Sequence, residues 1–289
     1  MLRDRVLAAV VGLPIIWVVV HYGGMRRLEY WFGVPLLVLF SAVVIEAMAE
    51  LYRAMPAKGV RPLPAIGYMA ALVLLVGTWV PGEAGAFLFA VAWLIAVVGT
   101  LTVGVLEGRI DGAVSNVAAT VFGFAYVGLL FSYFLRLRLM DIPLAMDRPD
   151  TWTFWRECGA AFLVVMATWL ADSGAYFIGK AFGRRKLSPV ISPGKTVAGG
   201  VGNILVAIAT SVIIGALIHL SMVHSLIVGL IIGTVGQIGD LAESLLKRDL
   251  GIKDSSTIIP GHGGILDRCD ALLFTMPAVY YYLAVFVAP

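Results

Sequence analysis

Residues 223–270 read VHSLIVGLIIGTVGQIGDLAESLLKRDLGIKDSSTIIPGHGGILDRCD. The first part, 223–245, has the length and apolar character of a bilayer-crossing helix, which needs about 20 such residues. The remainder, Ser244–Asp270, mixes carboxylates with lysine, arginine, one histidine and four glycines before a second apolar run takes over. That succession fixes two expectations. The chain belongs in a membrane, and the acids and cations at the mouth of this helix look like a place for a metal ion and phosphates.

Composition agrees with the first expectation. The 289 residues are 60% hydrophobic and 13% charged, with a mean hydropathy of +0.94. Soluble domains are nearer about 45–50% apolar and about 25% charged. A net charge of +3 is too small to argue for nucleic acid, so no nucleic-acid partner is expected. Cys158 and Cys269 are the only cysteines. The topology below sets them at opposite membrane faces, so a disulfide framework is not expected.

Nine segments qualify as spans: 6–22, 31–52, 63–80, 84–105, 113–136, 158–180, 199–220, 223–245 and 269–287. The expected fold is therefore all-α, a polytopic integral membrane helical bundle of about nine transmembrane helices. Met1–Val20 has a basic start and an apolar run, yet His21-Tyr22-Gly23-Gly24-Met25 is a poor cleavage site, so a retained first helix is expected. The polar connection 140–157, with Trp152 and Trp155, reads as an interfacial loop with aromatic anchors. Residues 1–157 are expected to form a scaffold of helices that could also carry a homodimer contact. Residues 158–289 are expected to be the catalytic region with its cytoplasmic loops.

With the N-terminus inside, fifteen of the twenty-one lysines and arginines, and every lysine, fall on inner segments. That bias predicts a cytoplasmic N-terminus and puts the basic loops 180–198 and 246–268 on the cytoplasmic face. Nucleotides are found on that side.

Four groups of residues carry chemistry. Asp172 lies inside the apolar run TWLADSGAYFIGK (168–180), where an acid costs a few kcal/mol, about 2.5–3.5 at the centre of a span. It shares a face with Tyr176 and Lys180, so it is either one member of a stabilising polar stripe or a carboxylate of a cytoplasmic cavity. ISPGKTVAGG (191–200) ends like a phosphate-binding loop, but Pro189 stands where that motif needs glycine. A Ser192-Pro193-Gly194 turn can still present Lys195 to an anion at the next helix start, or Lys195 can act as an inner-face anchor. Asp240, Glu243 and Lys247 share one helix face, with Glu243–Lys247 a natural ion pair and Asp240 left among apolar residues and glycine. Gly233, Gly236 and Gly239 leave one side of that helix bare, for close packing or for a ligand. Finally, His262 sits among Gly261, Gly263 and Gly264, a density that allows backbone to approach phosphate oxygens. Asp267 and Asp270 follow one turn apart, and either can cap the last helix or serve an ion. Carboxylates, phosphates and water suit Mg²⁺, whereas two cysteines and scattered histidines make no zinc site.

Taken together these residues resemble the phosphatidate cytidylyltransferases, or CDP-diacylglycerol synthases. Their signature S-x-x-K-R-x4-K-D, then H-G-G-x-x-D-R-x-D, is matched with every spacing kept by Ser244, Lys247-Arg248, Lys253-Asp254, His262-Gly263-Gly264, Asp267-Arg268 and Asp270. Asp172-Ser173-Gly174-Ala175-Tyr176 with Gly179-Lys180, and Ser192-Pro193-x-Lys195-Thr196, are similar to two upstream pieces of the family. The match covers about the last 120 residues. Cys269 departs from the usual aliphatic residue, Gly194 from a lysine and Ala198 from a frequent polar residue.

The resemblance implies transfer of CMP from CTP to phosphatidate, giving CDP-diacylglycerol and pyrophosphate in a bacterial-type cytoplasmic membrane. It implies Asp172, Asp240, Asp267 and Asp270 as the catalytic acids, with Asp240 and Asp267 holding Mg²⁺ and a second, monovalent cation such as K⁺ nearby. It further implies Ser192, Lys195, Thr196, Lys247, Arg248, His262, Gly263, Gly264 and Arg268 as the substrate-binding set. The competing reading is a secondary transporter, which also has buried acids and broken glycine-rich helices, but near the bilayer centre. A CDP-alcohol phosphotransferase would need a D-x2-D-G-x2-A-R string, which is absent.

Overall fold

The computed structural model describes residues 34–108, 110–140, 153–256, 258 and 263–288, with no side-chain description for 153–157. Among these residues seven helices are long and apolar enough to cross a membrane: Val34–Lys58, Gly82–Leu106, Ala113–Leu139, Cys158–Phe182, Val197–Leu217, Met222–Leu250 and Leu266–Phe286. An eighth, Pro64–Trp79, is apolar but has only 16 residues, roughly 24 Å at 1.5 Å per residue and short of a hydrocarbon core of about 30 Å. The expected segment 6–22 lies outside the described residues. Each of the other eight expected spans coincides with one of these helices, and the protein is an all-α polytopic membrane protein.

Two compact units make up the chain. The first comprises residues 1–136 with 249–268, the second 137–248 with 269–289. In the first unit α1 is Val34–Ala54, α2 Pro64–Trp79, α3 Gly82–Leu94 and α4 Thr100–Leu106. There follow α5, Ala113–Gly123, and α6, Leu130–Leu139, of which all but the last three residues belong to this unit. The π-helical segments Ile95–Gly99 and Phe124–Leu129 join α3 to α4 and α5 to α6 into continuous helices. Buried Leu36, Phe40, Val44, Ala47, Met48 and Leu51 recur every three or four residues on one face of α1, the spacing of a helix packed along one stripe. Tyr52 extends that stripe. Its hydroxyl donates to the Thr120 carbonyl at 2.6 Å, and its ring fits only because Gly67 and Gly123 lack side chains. A Cβ at Gly67 would stand 3.0 Å from the Tyr52 ring carbons.

The second unit contains α7 (Thr153–Phe182), a hairpin of β1 (Lys186–Ser188) and β2 (Ser192–Thr196), α8 (Val197–Leu217) and α9 (Met222–Leu250, through Arg248). Most of α10 (Leu266–Phe286), from Cys269 onward, completes it. Helix α7 begins at Thr153, so the expected loop 140–157 is shorter than supposed. No glycine or proline interrupts 153–157, and the helical run simply continues into Cys158. Residues 141–152, with Trp152, lie outside the described residues.

The bare glycines of α9 are spent on packing. A Cβ at Gly229 or Gly233 would stand 2.5 or 2.6 Å from the Cα atoms of Ile208 and Ile204 in α8. At Gly236 it would meet Thr275 Cγ2 at 3.2 Å, and at Gly239 the Asp270 carbonyl at 2.8 Å, both on α10. Lipid tails are as apolar as leucine, so close backbone approach through small residues is what holds such helices together. Thr168 and Thr275 add a hydroxyl contact of 3.1 Å between α7 and α10. Neither Cys158 nor Cys269 is part of a disulfide.

Gly233→Val should therefore force α8 and α9 apart and destabilise the detergent-solubilised protein by about 1–3 kcal/mol, read as a lowered Tm. Gly104→Ala, where an added Cβ meets nothing within 4 Å, should leave Tm unchanged or raised.

Candidate active site

Three of the four predicted acids converge within the second unit, each from a different helix. Asp172 projects from α7, and its Oδ1 accepts a hydrogen bond from Asn203 Nδ2 of α8 at 3.1 Å. Asp240, about two thirds of the way along α9, forms an ion pair with Lys195 of β2. Both Asp240 and Lys195 lie within electrostatic reach of Asp172. Asp270 of α10 lies in turn within reach of Asp240, Glu243 and Asp172. Its Oδ1 accepts from the Ala271 N–H at 2.8 Å, and Gly239 admits its backbone carbonyl against α9.

The hairpin explains how Lys195 reaches Asp240. Sequence reading expected a turn at Ser192-Pro193-Gly194. The structure has an antiparallel strand there, pairing Lys186 with Thr196 and Ser188 with Ser192. Thr196 closes the strand and starts α8, its Oγ1 accepting from Gly199 N–H at 3.1 Å as a helix N-cap. The Val197 N–H donates to the Arg185 carbonyl at 2.9 Å. Gly179 and Gly199 let Thr196 settle between α7 and α8: a Cβ at Gly179 would stand 3.0 Å from Thr196 Oγ1. With Thr196 buried, the preceding Lys195 is half-buried and meets α9. Arg248 Nε donates to the Ile191 carbonyl at 3.5 Å, a second and looser tie between hairpin and α9. Ser192 is half-buried in β2.

Lys247 pairs with Glu243 at 2.8 Å within α9, as the i,i+4 spacing foretold, and Glu243 is 2% exposed. Lys180 stacks over the Tyr176 ring at 5.9 Å while Asp172 turns to Asn203. The stripe expected along α7 is therefore divided between two sets of partners. Among the described residues the charged groups that reach Asp172 are Asp240 and Lys195, and those that reach Asp270 are Asp240, Glu243 and Asp172, so acids outnumber cations around the cluster. That surplus of carboxylate attracts cations.

Asp267 belongs to the first unit. Its carboxylate accepts from the Ser255 N–H at 3.0 Å, the Ser255 hydroxyl at 3.0 Å and the Gly264 N–H at 2.7 Å. Ser255 is also bonded to a residue that sequence reading passed over. Glu50 of α1 accepts from the hydroxyls of Ser255 and Ser256 and from the N–H groups of Ile265 and Leu266. The atoms that close on the two glycines belong to these carboxylates and, at Gly264, to the Ser255 hydroxyl as well. A Cβ at Gly263, whose φ is +78°, would stand 2.5 Å from Asp267 Oδ2, and one at Gly264 2.5 Å from Glu50 Oε1. Arg268 is exposed on the first turn of α10, and His262 lies outside the described residues. Glu50 and Asn203 had one available signal, the same that singled out Asp172: a polar side chain inside an apolar run.

Among the described residues no group of three or more His, Cys, Asp or Glu side chains is arranged to cage a metal ion. Magnesium is ordinarily held by one or two carboxylates together with substrate phosphates and water. The acidic cluster fits a cation that arrives with phosphates.

A family model described as the Cytidylyltransferase family matches residues 3–286. A phosphatidate cytidylyltransferase of Synechocystis sp. is 33% identical over 300 aligned positions, 97% of this chain and 96% of that one. One from Staphylococcus epidermidis is 31% identical over 280, covering 96% of each. One from Bacillus subtilis reaches 44% over 163 residues, 56% of each chain. Relatives aligned from end to end, and a family match over almost the whole sequence, lead to one conclusion: the chain belongs to the cytidylyltransferase family, alongside the phosphatidate cytidylyltransferases.

Proposed function

We propose that this protein transfers CMP from CTP to phosphatidate, producing CDP-diacylglycerol and pyrophosphate for phospholipid synthesis. The observation that carries the reading is the convergence of Asp172, Asp240 and Asp270 in a membrane-spanning bundle, with Lys195 paired to Asp240. The phosphate oxygen of phosphatidate attacks the α-phosphorus of CTP. A P–O bond forms there as the α–β bridging bond breaks, and pyrophosphate departs with the electron pair. The nucleophile is already ionised at neutral pH, so no side chain has to take its proton. What the protein supplies is position and charge, which together carry most of the catalysis of phosphoryl transfer.

Asp240 and Asp267 are the carboxylates we assign to Mg²⁺, which when bound would offset phosphate charge; Asp172 and Asp270 add negative potential, and a monovalent cation such as K⁺ would balance the rest. That assignment rests on the signature and on the carboxylate surplus. Lys195 then has two roles. Without nucleotide it holds Asp240 in an ion pair, and with nucleotide its ammonium can exchange that carboxylate for a phosphate oxygen. Lys247, Arg248 and Arg268 supply further cations, Ser192 and Thr196 hold the hairpin that carries Lys195, and His262 with Gly263 and Gly264 serves the pyrophosphate end. The distribution of lysine and arginine supports a site on the cytoplasmic side.

Purified protein given labelled CTP and phosphatidate should form a lipid-soluble cytidine product, lost on chelation and restored by Mg²⁺. Asp240→Asn and Asp267→Asn should each lower turnover by more than about 100-fold with Tm retained; near-normal turnover in either would refute its role. Lys195→Met should lower kcat/KM for CTP by about 10- to 100-fold, the worth of a hydrogen bond to a charged group. Val190→Cys, at an 89% exposed position of the hairpin turn, should react with an impermeant thiol reagent in inverted vesicles and not in right-side-out ones, in a background of Cys158→Ser and Cys269→Ser.

A further inference from the structure

Glu50 is 1% exposed, in a stretch of α1 where Ala47, Met48, Ala49 and Leu51 are equally buried. Placing a carboxylate there is costly unless donors replace its lost water. Four do so. Ser255 Oγ donates to Oε2 at 2.9 Å and Ser256 Oγ to Oε1 at 2.6 Å. The Ile265 N–H donates to Oε1 at 2.9 Å and the Leu266 N–H to Oε2 at 2.9 Å. All four are neutral, and the nearby cation Arg53 is bound to Glu46 at 2.7 Å. The last two donors are the unpaired N–H groups where α10 begins, the place where a helix best receives negative charge.

The partners lie in two sets, 255–256 and 265–266, on either side of His262-Gly263-Gly264 in sequence. One carboxylate on a transmembrane helix therefore fastens both flanks of the stretch that carries the signature glycines. It also shares the single Ser255 hydroxyl proton with Asp267, whose Oδ2 lies 3.0 Å from the same oxygen. Gly264 is held between them, since any side chain there would strike the Glu50 carboxylate.

We infer that Glu50 is a positioning residue for cytidylyl transfer: it touches no substrate, and it sets the placement of Ser255, Ser256, Ile265 and Leu266 and, through Ser255, of the Asp267 carboxylate. The inference rests on the transfer reading given above. A simple cap for α10 would require only the two backbone bonds. The two serine bonds and the shared proton tie Glu50 to Asp267. Only a carboxylate satisfies four donors, because the amide of glutamine would turn an NH₂ toward two of them.

The test compares Glu50→Gln, Glu50→Asp, Ser256→Ala and, as a structural reference in the same unit, Tyr52→Phe, which loses the buried bond to Thr120. Each is assayed per folded molecule at saturating CTP and phosphatidate, with exchange of the Ile265 and Leu266 amides followed by mass spectrometry. Glu50→Gln should lose at least about tenfold in kcat with KM for CTP changed much less. Glu50→Asp should recover part of that loss, Ser256→Ala should fall several-fold with Tm unchanged, and Tyr52→Phe should lose Tm but keep kcat. The two amides should exchange faster in Glu50→Gln alone. Wild-type kcat in Glu50→Gln, or an equal loss in Tyr52→Phe, overturns the inference; if Glu50→Gln does not fold, Ser256→Ala with wild-type kcat does so. A wild-type preparation that makes no liponucleotide overturns the proposed function instead, and the exchange rates then decide the role of Glu50.

Discussion

A carboxylate inside an apolar bundle must be met by donors or by a cation, and much of this structure follows from that requirement. Burial of an isolated charge costs far more than any single contact returns. Each acid that the helices carry inward therefore dictates what must stand beside it. Asp172 brings Asn203 into α8, a helix otherwise built of small and aliphatic residues. Asp240 draws in Lys195, and a β-hairpin exists between α7 and α8 to deliver it. Glu50 gathers two hydroxyls and two backbone N–H groups. The glycines are the complement of this arrangement. They remove side chains where helices, a tyrosine ring or a carboxylate must come close.

The chemistry proposed for the site depends on the same constraint. Three carboxylates held close together leave negative potential in a medium that screens it poorly. Such a cluster is stable only while cations, hydrogen-bond donors or water share it. The Lys195–Asp240 ion pair offsets part of that potential.

Much of the fold could be read from the chain because bilayer physics writes itself into local sequence. Apolar runs of fixed length end at charges, glycine and proline, and the eight expected spans among the described residues all coincide with helices. The convergence of Asp172, Asp240 and Asp270 was legible through a different route, since ionisable groups are rare enough in spans to stand out. Three things were not legible. The hairpin was hidden because Ser192-Pro193-Gly194 has the composition of a turn, and only pairing with Lys186–Ser188 makes it a strand. The use of Gly263 and Gly264 was hidden because a glycine declares a close approach without naming what approaches. Glu50 escaped because its environment is assembled from residues 205 to 216 positions away, so its own neighbourhood reads as an ordinary acid near the end of a span.

That separation has a consequence for how the protein is made. Helix α1 leaves the ribosome about 205 residues before the serines that satisfy its carboxylate, roughly 10–40 s at ordinary rates of synthesis. Throughout that interval Glu50 has none of its eventual partners, so its carboxyl group must keep water, find other donors or hold a proton until they arrive. The first described helix of the chain is thus among the last to have its contacts completed.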